Sequence, residues 1–217
     1  MSEPTNELAS RRQEEKDRRR EEILDAAASV AVERGVAAFT MDQVAKQARL
    51  SRALLYVYFK DKQDLLLGLA DRANAKLHQR FAVINARKLN GLKKIQTMGR
   101  AYVAFAEEEP VYFEAMSCFV AHPAEDGEPQ GNELRCMQGG MNVHGEIIKA
   151  IELGKQDGSI RQDAGNPMLV SFTLWSFMHG VIQIVATKGH AFEFFGLKTK
   201  QLVDQAIAMC TRSLEAK

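Results

Sequence analysis

Residues 40–62 of the sequence combine side chains that can bind a nucleic acid. The stretch TMDQVAKQARLSRALLYVYFKDK carries five basic and two acidic residues, two tyrosines and two aliphatic hydroxyl side chains. Hydroxyl, ammonium and guanidinium groups bind phosphate oxygens, and an arginine near the start of a recognition helix can reach guanine O6 and N7 in the major groove. The candidate DNA-binding residues are Thr40, Arg49, Ser51, Arg52, Ala53, Tyr56, Tyr58, Lys60 and Lys62.

Two short helices would position these side chains. Thr40 is an N-cap residue with Gln43 three positions later, which makes a capping box, and Ser51 caps the next helix. Only Arg49 and Leu50 lie between the two helices, which makes a turn too tight for antiparallel packing. The spacing therefore predicts a helix-turn-helix motif.

The second helix of this motif has two different faces. Helical geometry places Arg52, Ala53 and Tyr56 on one face, and Leu55 and Phe59 on another. We expect the Leu55 face to pack on the apolar stripe of the first helix of the chain, which contains Ile23, and the Arg52 face to remain open to water or a partner. A plainer interpretation stays open, because aromatic residues at helical spacing are usually core residues and scattered lysines are usually solvated.

Composition places limits on the class of protein. The 217 residues are 46% hydrophobic and 26% charged with a net charge of +1, so attraction to nucleic acid must come from a local patch. Three widely spaced cysteines fit a reducing compartment, and the amino terminus lacks the apolar core of a signal peptide. These features predict a cytoplasmic protein with free thiols.

One long uncharged stretch raises the question of a membrane. Residues 168–187 contain no charge over 20 positions, which is about the length of a membrane span. They also contain Ser171, Thr173, His179 and Gln183, which are too polar for a helix alone in lipid. We interpret this stretch as a helix buried on several sides by protein, and we predict no membrane contact.

Helical periodicity extends along the whole chain. Five prolines and the lack of alternating Val/Ile/Thr-rich runs leave little room for sheet. The predicted fold is all-α, with an N-terminal three-helix domain that contains the helix-turn-helix and a larger C-terminal helical bundle. After Asp61 we predict helices at about 62–88, 92–108, 111–121, 134–156, 166–187 and 198–215, with a loop from His122 to Glu133.

The residues from Arg20 to Leu66 also resemble a known family. Their helix–Gly–Phe–Thr start, the Val44–Ala45 pair and the LYxYFxxKxxLL ending resemble the N-terminal domain of the tetracycline-repressor (TetR) family of transcriptional regulators. The resemblance implies a homodimer that binds a palindromic operator and releases it when a small molecule enters the larger domain. By position it implies phosphate contacts from Thr40, Tyr56, Tyr58 and Lys62, with Arg52 and Ala53 near the bases.

The sequence departs from the family pattern at the turn and on the second helix. Arg49 and Leu50 replace a common small residue followed by Val, and Leu54 replaces a residue that is usually small or polar. Arg49 could bind a phosphate or simply be exposed, and Leu54 could touch a thymine methyl or remain packed. These departures concern which DNA sequence is read.

The chain is therefore predicted to contain three segments: a disordered charged arm (1–17), a helix-turn-helix DNA-binding domain (18–64) and a ligand-sensing and dimerisation domain (65–217).

A dimer is required because one such motif contacts few bases, and specificity needs two half-sites about 34–36 Å apart or a multiple of that. The resemblance implies that the last two helices form a four-helix bundle between protomers; the alternative is that they are core within one chain. The predicted interface residues are Trp175, His179, Ile182, Val203 and Ile207.

Aromatic and methionine residues of the larger domain are candidates for a ligand pocket. Pockets are mostly apolar with few polar groups, and methionines adapt to varied shapes. Plain core packing is the competing interpretation, and an apolar or aromatic inducer is favoured because strong charge is absent there. The predicted pocket residues are Phe105, Tyr112, Met116, Phe119, Phe172, Trp175 and Met178.

Other kinds of site find little support. His122, His144, Cys118 and Cys136 lack the spacing of a metal motif, so we predict no metal and no cofactor. No catalytic motif is present, so we predict that the protein is not an enzyme. Redox sensing by a cysteine would need an exposed thiol of low pKa, which the sequence does not show. The alternative in another class is a helical ligand- or metal-binding protein with no role in transcription.

Overall fold

The computed structural model describes residues 4–120 and 128–216, with side chains from residue 10 onward. Within these ranges the chain is helical, and its extended pairing is limited to one isolated antiparallel bridge between Ile160 and Glu215. The all-α prediction is confirmed. The helices of the described residues are α1 (Pro4–Arg34), α2 (Met41–Gln47), α3 (Arg52–Tyr58), α4 (Lys62–Asn85), α5 (Gly91–Glu108), α6 (Pro110–Ser117), α7 (Gly131–Gln156), α8 (Pro167–Phe194) and α9 (Thr199–Leu214).

The first helix is longer than the sequence predicted. Residues 4–17, expected to be a disordered arm, belong to α1, and residues 1–3 lie outside the described residues. Side chains three or four positions apart are paired: Arg18 contacts Glu15 at 2.7 Å, and Gln13 Nε2 donates to Asp17 at 2.9 Å. Such pairs stabilise a helix, whereas charged composition alone suggested disorder.

The described chain divides into two compact units. The first comprises the described parts of 1–73 and 111–136, and the second those of 74–110 and 137–217. This division differs from the boundary predicted after residue 64, because α4 continues without a break through that position. Residues 121–127, which include His122 and part of the predicted loop, lie outside the described residues.

The first unit has a core built from α1 to α4 and α6. Leu55 and Phe59 are completely buried in one cluster with Ile23, Leu24 and Val44, which confirms that the inner face of α3 packs on α1. Burying a side chain of this size contributes about 1.5–3 kcal/mol. The core therefore fixes which side of α3 faces outward.

In the second unit, α5, α8 and α9 pack together. The start of α5 lies directly on α7, since a Cβ added at Gly91 would overlap the Gly154 backbone. Arg100 of α5 is paired with Asp204 of α9 at 3.0 Å. These contacts hold α5 against α7 and α9.

Helix α8 is much less buried than the sequence suggested. Its length and composition alone would allow it to cross a membrane, but core helices of soluble folds satisfy the same criteria. Of its most apolar 18-residue segment, only 17% is buried within the protomer. Ser171, Met178 and Ile182 mark its inner side. Its outward residues, called here the exposed α8 face, are Leu169, Phe172, Thr173, Ser176, Phe177 and Ile184.

Candidate nucleic-acid interface

The helix starts of the motif are capped as the sequence predicted. Thr40 accepts a hydrogen bond from the Gln43 backbone N–H, and the Gln43 side chain accepts from the Thr40 N–H, completing the capping box. Ser51 accepts from the Leu54 N–H at 3.2 Å. Asp61 accepts from the Asp64 N–H at 2.7 Å. Because each cap satisfies a backbone donor that has no partner within the helix, these bonds fix where the helices begin.

The turn between α2 and α3 is closed by backbone hydrogen bonds. The Leu50 N–H donates to the Ala45 carbonyl at 2.9 Å, and Arg49 has a φ of 55°, the one positive value among the described non-glycine residues. A residue with a side chain adopts this left-handed conformation at a cost of about 1–2 kcal/mol. The Arg49 side chain is exposed.

Helix α3 presents a continuous exposed face. Above the buried Leu55 and Phe59, the outward residues include Arg52, Ala53 and Tyr56, as predicted. Leu54 is 38% exposed and Val57 71% exposed. Among the predicted DNA-binding residues, Tyr58 and Lys62 are half-buried; the exposed ones are Thr40, Arg49, Ser51, Arg52, Ala53, Tyr56 and Lys60.

Arg52 is held in place by two neighbours. Its Nε lies 3.1 Å from the Asp42 carboxylate, and its guanidinium lies 5.7 Å from the centre of the Tyr56 ring. A hydrogen bond to Tyr56 and the charge of Asp42 raise the pKa of Arg52 above its ordinary value. The side chain is therefore a permanent cation, and it must leave Asp42 to bind a base.

Lys62 links α4 to the segment before α2. Its Nζ donates to the Ala37 carbonyl at 2.6 Å and lies 4.4 Å from the centre of the Phe39 ring. An ammonium has three donors, so this bond leaves two for a phosphate. Lys62 thus supports the Thr40 cap region while keeping its charge at the surface of the motif.

Replacement of Lys62 by Gln should weaken DNA binding equally across DNA sequences. We expect the slope of log affinity against log salt to fall by about 1 for each phosphate contact removed. The measurement is operator titration at several salt concentrations, with Lys93→Gln on the exposed start of α5 as the control. An unchanged slope would remove Lys62 from the set of phosphate contacts.

The second unit contains a narrow apolar cavity. It has a volume of about 50 Å³, and none of its lining side chains is charged. Of the predicted pocket residues, Trp175 and Met178 line this cavity. The other lining residues come mainly from α4, α5 and α9, and include Leu77, Phe81, Ile95, Met98, Tyr102, Ile207 and Cys210.

The remaining predicted pocket residues lie elsewhere. Tyr112, Met116 and Phe119 pack on the cores of the first unit, so they do not line this cavity. Phe105 is fully buried without lining it, and Phe172 is 37% exposed on α8. Apolar side chains at helical spacing look alike whether they fill a core or line a cavity, which is why periodicity did not separate them.

The buried His144 of α7 and the half-buried His179 of α8 each share a hydrogen bond with a neighbouring side chain. His179 Nδ1 and the Tyr102 hydroxyl share a hydrogen bond of 2.7 Å, and His144 Nδ1 and Ser171 Oγ share one of 2.8 Å. The His144 ring stacks on Phe172 with 3.8 Å between ring centres. Burial lowers the pKa of both histidines and raises the pKa of Tyr102, so these groups are neutral near pH 7.

Stability should fall as the pH drops below about 6.5, the unperturbed histidine pKa. In this range the unfolded chain binds more protons than the folded chain, because burial lowers the folded pKa of His144 and His179. Each histidine contributes at most about 1.4 kcal/mol per pH unit. Urea unfolding at a series of pH values should show a shallower dependence for His144→Gln and His179→Gln than for His190→Gln, whose side chain is exposed.

Of the five predicted dimer residues, two are buried within the protomer and three are half-buried. Ile182 and Ile207 are 5% and 3% exposed, and Ile207 lines the cavity. Trp175, His179 and Val203 are half-buried. Exposed apolar side chains of the last two helices include Leu169, Phe172, Phe177 and Ile184 of the exposed α8 face, and Leu202 and Met209 of α9.

Metal and thiol chemistry find no support in the described residues. Within residues 4–120 and 128–216, no cluster of three His, Cys, Asp or Glu residues has the arrangement of a metal site. Cys118, Cys136 and Cys210 are free thiols, as predicted. Burial raises the pKa of Cys118 and Cys210, which disfavours the reactive thiolate.

Both parts of the chain match one family. Residues 23–69 match the family of bacterial regulatory proteins described as tetR, and residues 95–210 match the tetracyclin repressor-like C-terminal domain. The second match alone covers more than half of the sequence. The chain therefore belongs to the TetR family of transcriptional regulators.

Individual proteins are similar to this chain in sequence or in fold. The nucleoid occlusion factor SlmA of Aliivibrio fischeri is 33% identical over 96 residues, which are 44% of this chain and 49% of that protein, so the chain spans about half the length of the curated relatives it matches. The structure of the TetR family regulator PfmR from Thermus thermophilus is similar with a TM-score of 0.63 and 19% identity, covering 89% of this chain and 98% of that one.

A second structural relative is FadR from Bacillus subtilis, solved in complex with stearoyl-CoA. It has a TM-score of 0.65 and 14% identity, and covers 89% of this chain and 98% of that one. Likeness at this level of identity shows a shared fold. Two solved relatives thus carry the same nearly full-length helical arrangement.

Proposed function

We propose that the protein is a cytoplasmic, homodimeric transcription factor that binds a palindromic operator and represses transcription until a small molecule releases it. The observation that carries the proposal is the exposed α3 face, with Arg52, Ala53 and Tyr56 outward and Leu55 and Phe59 buried. A short helix held so firmly on its inner side can enter a major groove without rearranging. Membership of the TetR family supports DNA as the partner.

Each residue has a distinct role in this proposal. Arg52 reads a guanine edge, and the small Ala53 lets the helix approach the bases closely. The hydroxyls of Thr40, Ser51, Tyr56 and Tyr58 and the charges of Arg49, Lys60 and Lys62 contact phosphates.

The homodimer joins protomers through the exposed α8 face and α9. A monomer would leave Leu169, Phe177 and Ile184 in water, at exposed fractions of 69%, 40% and 42%. Exposed apolar patches of this kind mark interaction sites. The half-buried Gly180 and the small Ser176 on the same side permit close approach of a partner helix. A second copy completes two half-sites for DNA.

The inducer in this proposal is a small, mainly apolar or aromatic compound that enters the cavity of the second unit. The uncharged lining of the cavity would not compensate the desolvation of a charged ligand. Known ligand pockets occupy about 300–1,000 Å³, so the walls must move to admit a drug-sized compound. Met98 and Met178 on these walls are flexible enough to do so.

The competing function, a helical ligand- or metal-binding protein without a role in transcription, is not favoured, because both family matches are to regulators. The two functions differ in one measurement. The proposal predicts that duplex DNA from the region upstream of the chain's own gene is bound at low salt and released as salt increases. Salt-insensitive binding, or none, would favour the alternative.

Ligand control needs its own experiment. Neutral aromatic and aliphatic compounds, each paired with a charged analogue, are screened for thermal stabilisation of the protein, and stabilising compounds are then added to an operator titration. The expected result is stabilisation by neutral members and weaker operator binding in their presence. Stabilisation without any change in operator affinity would refute the inducer role.

A further inference from the structure

The amino-terminal part of α1 forms a groove with the recognition helix. The family match begins at residue 23, but α1 begins at Pro4, so 19 residues extend it by about 28 Å at 1.5 Å per residue. This extension lies against the end of α3, in the same compact unit. The groove is lined by Arg11, Arg12, Glu15, Lys16, Val57 and Tyr58.

Three carboxylates near the groove, those of Glu14, Glu15 and Asp17, are already paired with side chains of the extension. Glu15 is paired with Arg18 at 2.7 Å and with Arg19 at 3.8 Å, and its pKa is lowered by the hydrogen bond from Arg18. Ser10 donates to Glu14 at 3.1 Å, and Gln13 donates to Asp17 at 2.9 Å. Each of these carboxylates therefore has a partner within the extension, and the partners of Glu15 are cations.

Two cations of the groove are not engaged in this way. Arg12 and Lys16 are exposed and carry no ion pair with the side chains the structure describes. They lie four residues apart, so they share one side of α1. That side faces the groove that Val57 and Tyr58 of α3 complete.

We infer that Arg12 and Lys16 form a second phosphate-binding surface, which contacts the DNA backbone beside the half-site entered by α3. This inference rests on the proposed function. Its chemistry is two exposed positive charges next to the helix that would enter the major groove, where they can reach the flanking phosphates. The surface adds affinity and lengthens the bound segment without reading bases.

The test compares Arg12→Gln/Lys16→Gln with a matched control, Arg87→Gln/Lys88→Gln, which removes two exposed charges from the second unit. Gln is a good helix former, and circular dichroism checks that helix content is kept. Each variant is titrated with a long operator duplex at several salt concentrations. A dimer loses four contacts, so the slope of log affinity against log salt should fall by about 3–4 in magnitude.

Footprinting on the same duplex supplies a second readout. The protected DNA segment should become shorter at both outer ends with Arg12→Gln/Lys16→Gln. It should keep its full length with the charge-preserving variant Arg12→Lys/Lys16→Arg. If the neutralised variant matches the control in both slope and footprint, the second surface is refuted while the proposed function stands. If the unaltered protein binds no duplex, both proposals fall.

Discussion

Arginine in place of Phe177 is expected to produce monomers that bind the operator about 10²–10⁴-fold more weakly. In a dimer, binding of one protomer to its half-site makes binding of the second protomer intramolecular, which raises the overall affinity. A monomer loses this gain, and the factor reflects that loss. Phe177 is 40% exposed on the exposed α8 face, so the substitution adds charge where the proposed partner helix packs and leaves the protomer core intact. Sedimentation equilibrium measures the oligomeric state, and operator titration measures the affinity.

Val83→Arg is the matched control, since Val83 is 55% exposed on α4 in the same unit. It should remain dimeric and bind operator normally. Ile207→Arg is unsuitable for this purpose, because Ile207 is buried and lines the cavity, so a charge there would destabilise the protomer itself. A dimeric Phe177→Arg protein would contradict the assignment of the interface to α8.

Glutamine in place of Arg52 should weaken operator binding and relax its base preference at one position of each half-site. A bidentate contact to guanine is worth about 1–3 kcal/mol of discrimination, and a dimer makes two. The total loss is then about 2–6 kcal/mol if the two half-sites act independently. Competition titrations with operators substituted at single base pairs identify the position at which discrimination disappears.

Arg161→Gln is the control, because Arg161 is also an exposed arginine paired with a carboxylate, that of Asp163 at 2.6 Å. A further variant separates contact from positioning. Asp42→Asn removes the carboxylate that holds Arg52 at 3.1 Å, and such exposed pairs are worth about 0.2–1 kcal/mol. With two such pairs in a dimer, we expect Asp42→Asn to change affinity by no more than about 0.4–2 kcal/mol. Equal base discrimination by Arg52→Gln and the unaltered protein would rule out base reading by Arg52.

The helix-turn-helix could be predicted from the sequence because its signals are local. Thr40 with Gln43, and Ser51 with the Leu54 N–H, form caps within three residues, and the alternation of Leu55 with Arg52 and Tyr56 sets the faces of a single short helix. Gly35, directly after the end of α1, is another local signal, because its φ of 86° favours glycine.

The faces of α8 could not be predicted in the same way. Apolar residues surround this helix, so periodicity did not distinguish the inner Ile182 from the outer Ile184 or Phe177. Part of the cavity lining was not predicted for a related reason. Its residues on α5, including Ile95, Met98 and Tyr102, recur at helical spacing, as core residues also do. Only the packing of α5, α8 and α9 assigns these residues.

The extension of α1 shows a different limit. Its charge content suggested disorder, yet the spacing of Glu15, Arg18 and Arg19 places opposite charges one turn apart. Reading that spacing together with composition would have predicted the helix. The proximity of Arg12 and Lys16 to α3 is tertiary information, which no local pattern contains.

Selection of bound DNA from a random duplex pool tests the central claim most directly. The α3 face and the proposed dimer predict enrichment of an inverted repeat whose half-site centres lie about one helical turn, or a multiple of it, apart. Arg52→Gln should lose the preference for one base pair in each arm. Enrichment of no sequence, or of a single site without internal symmetry, would contradict the account.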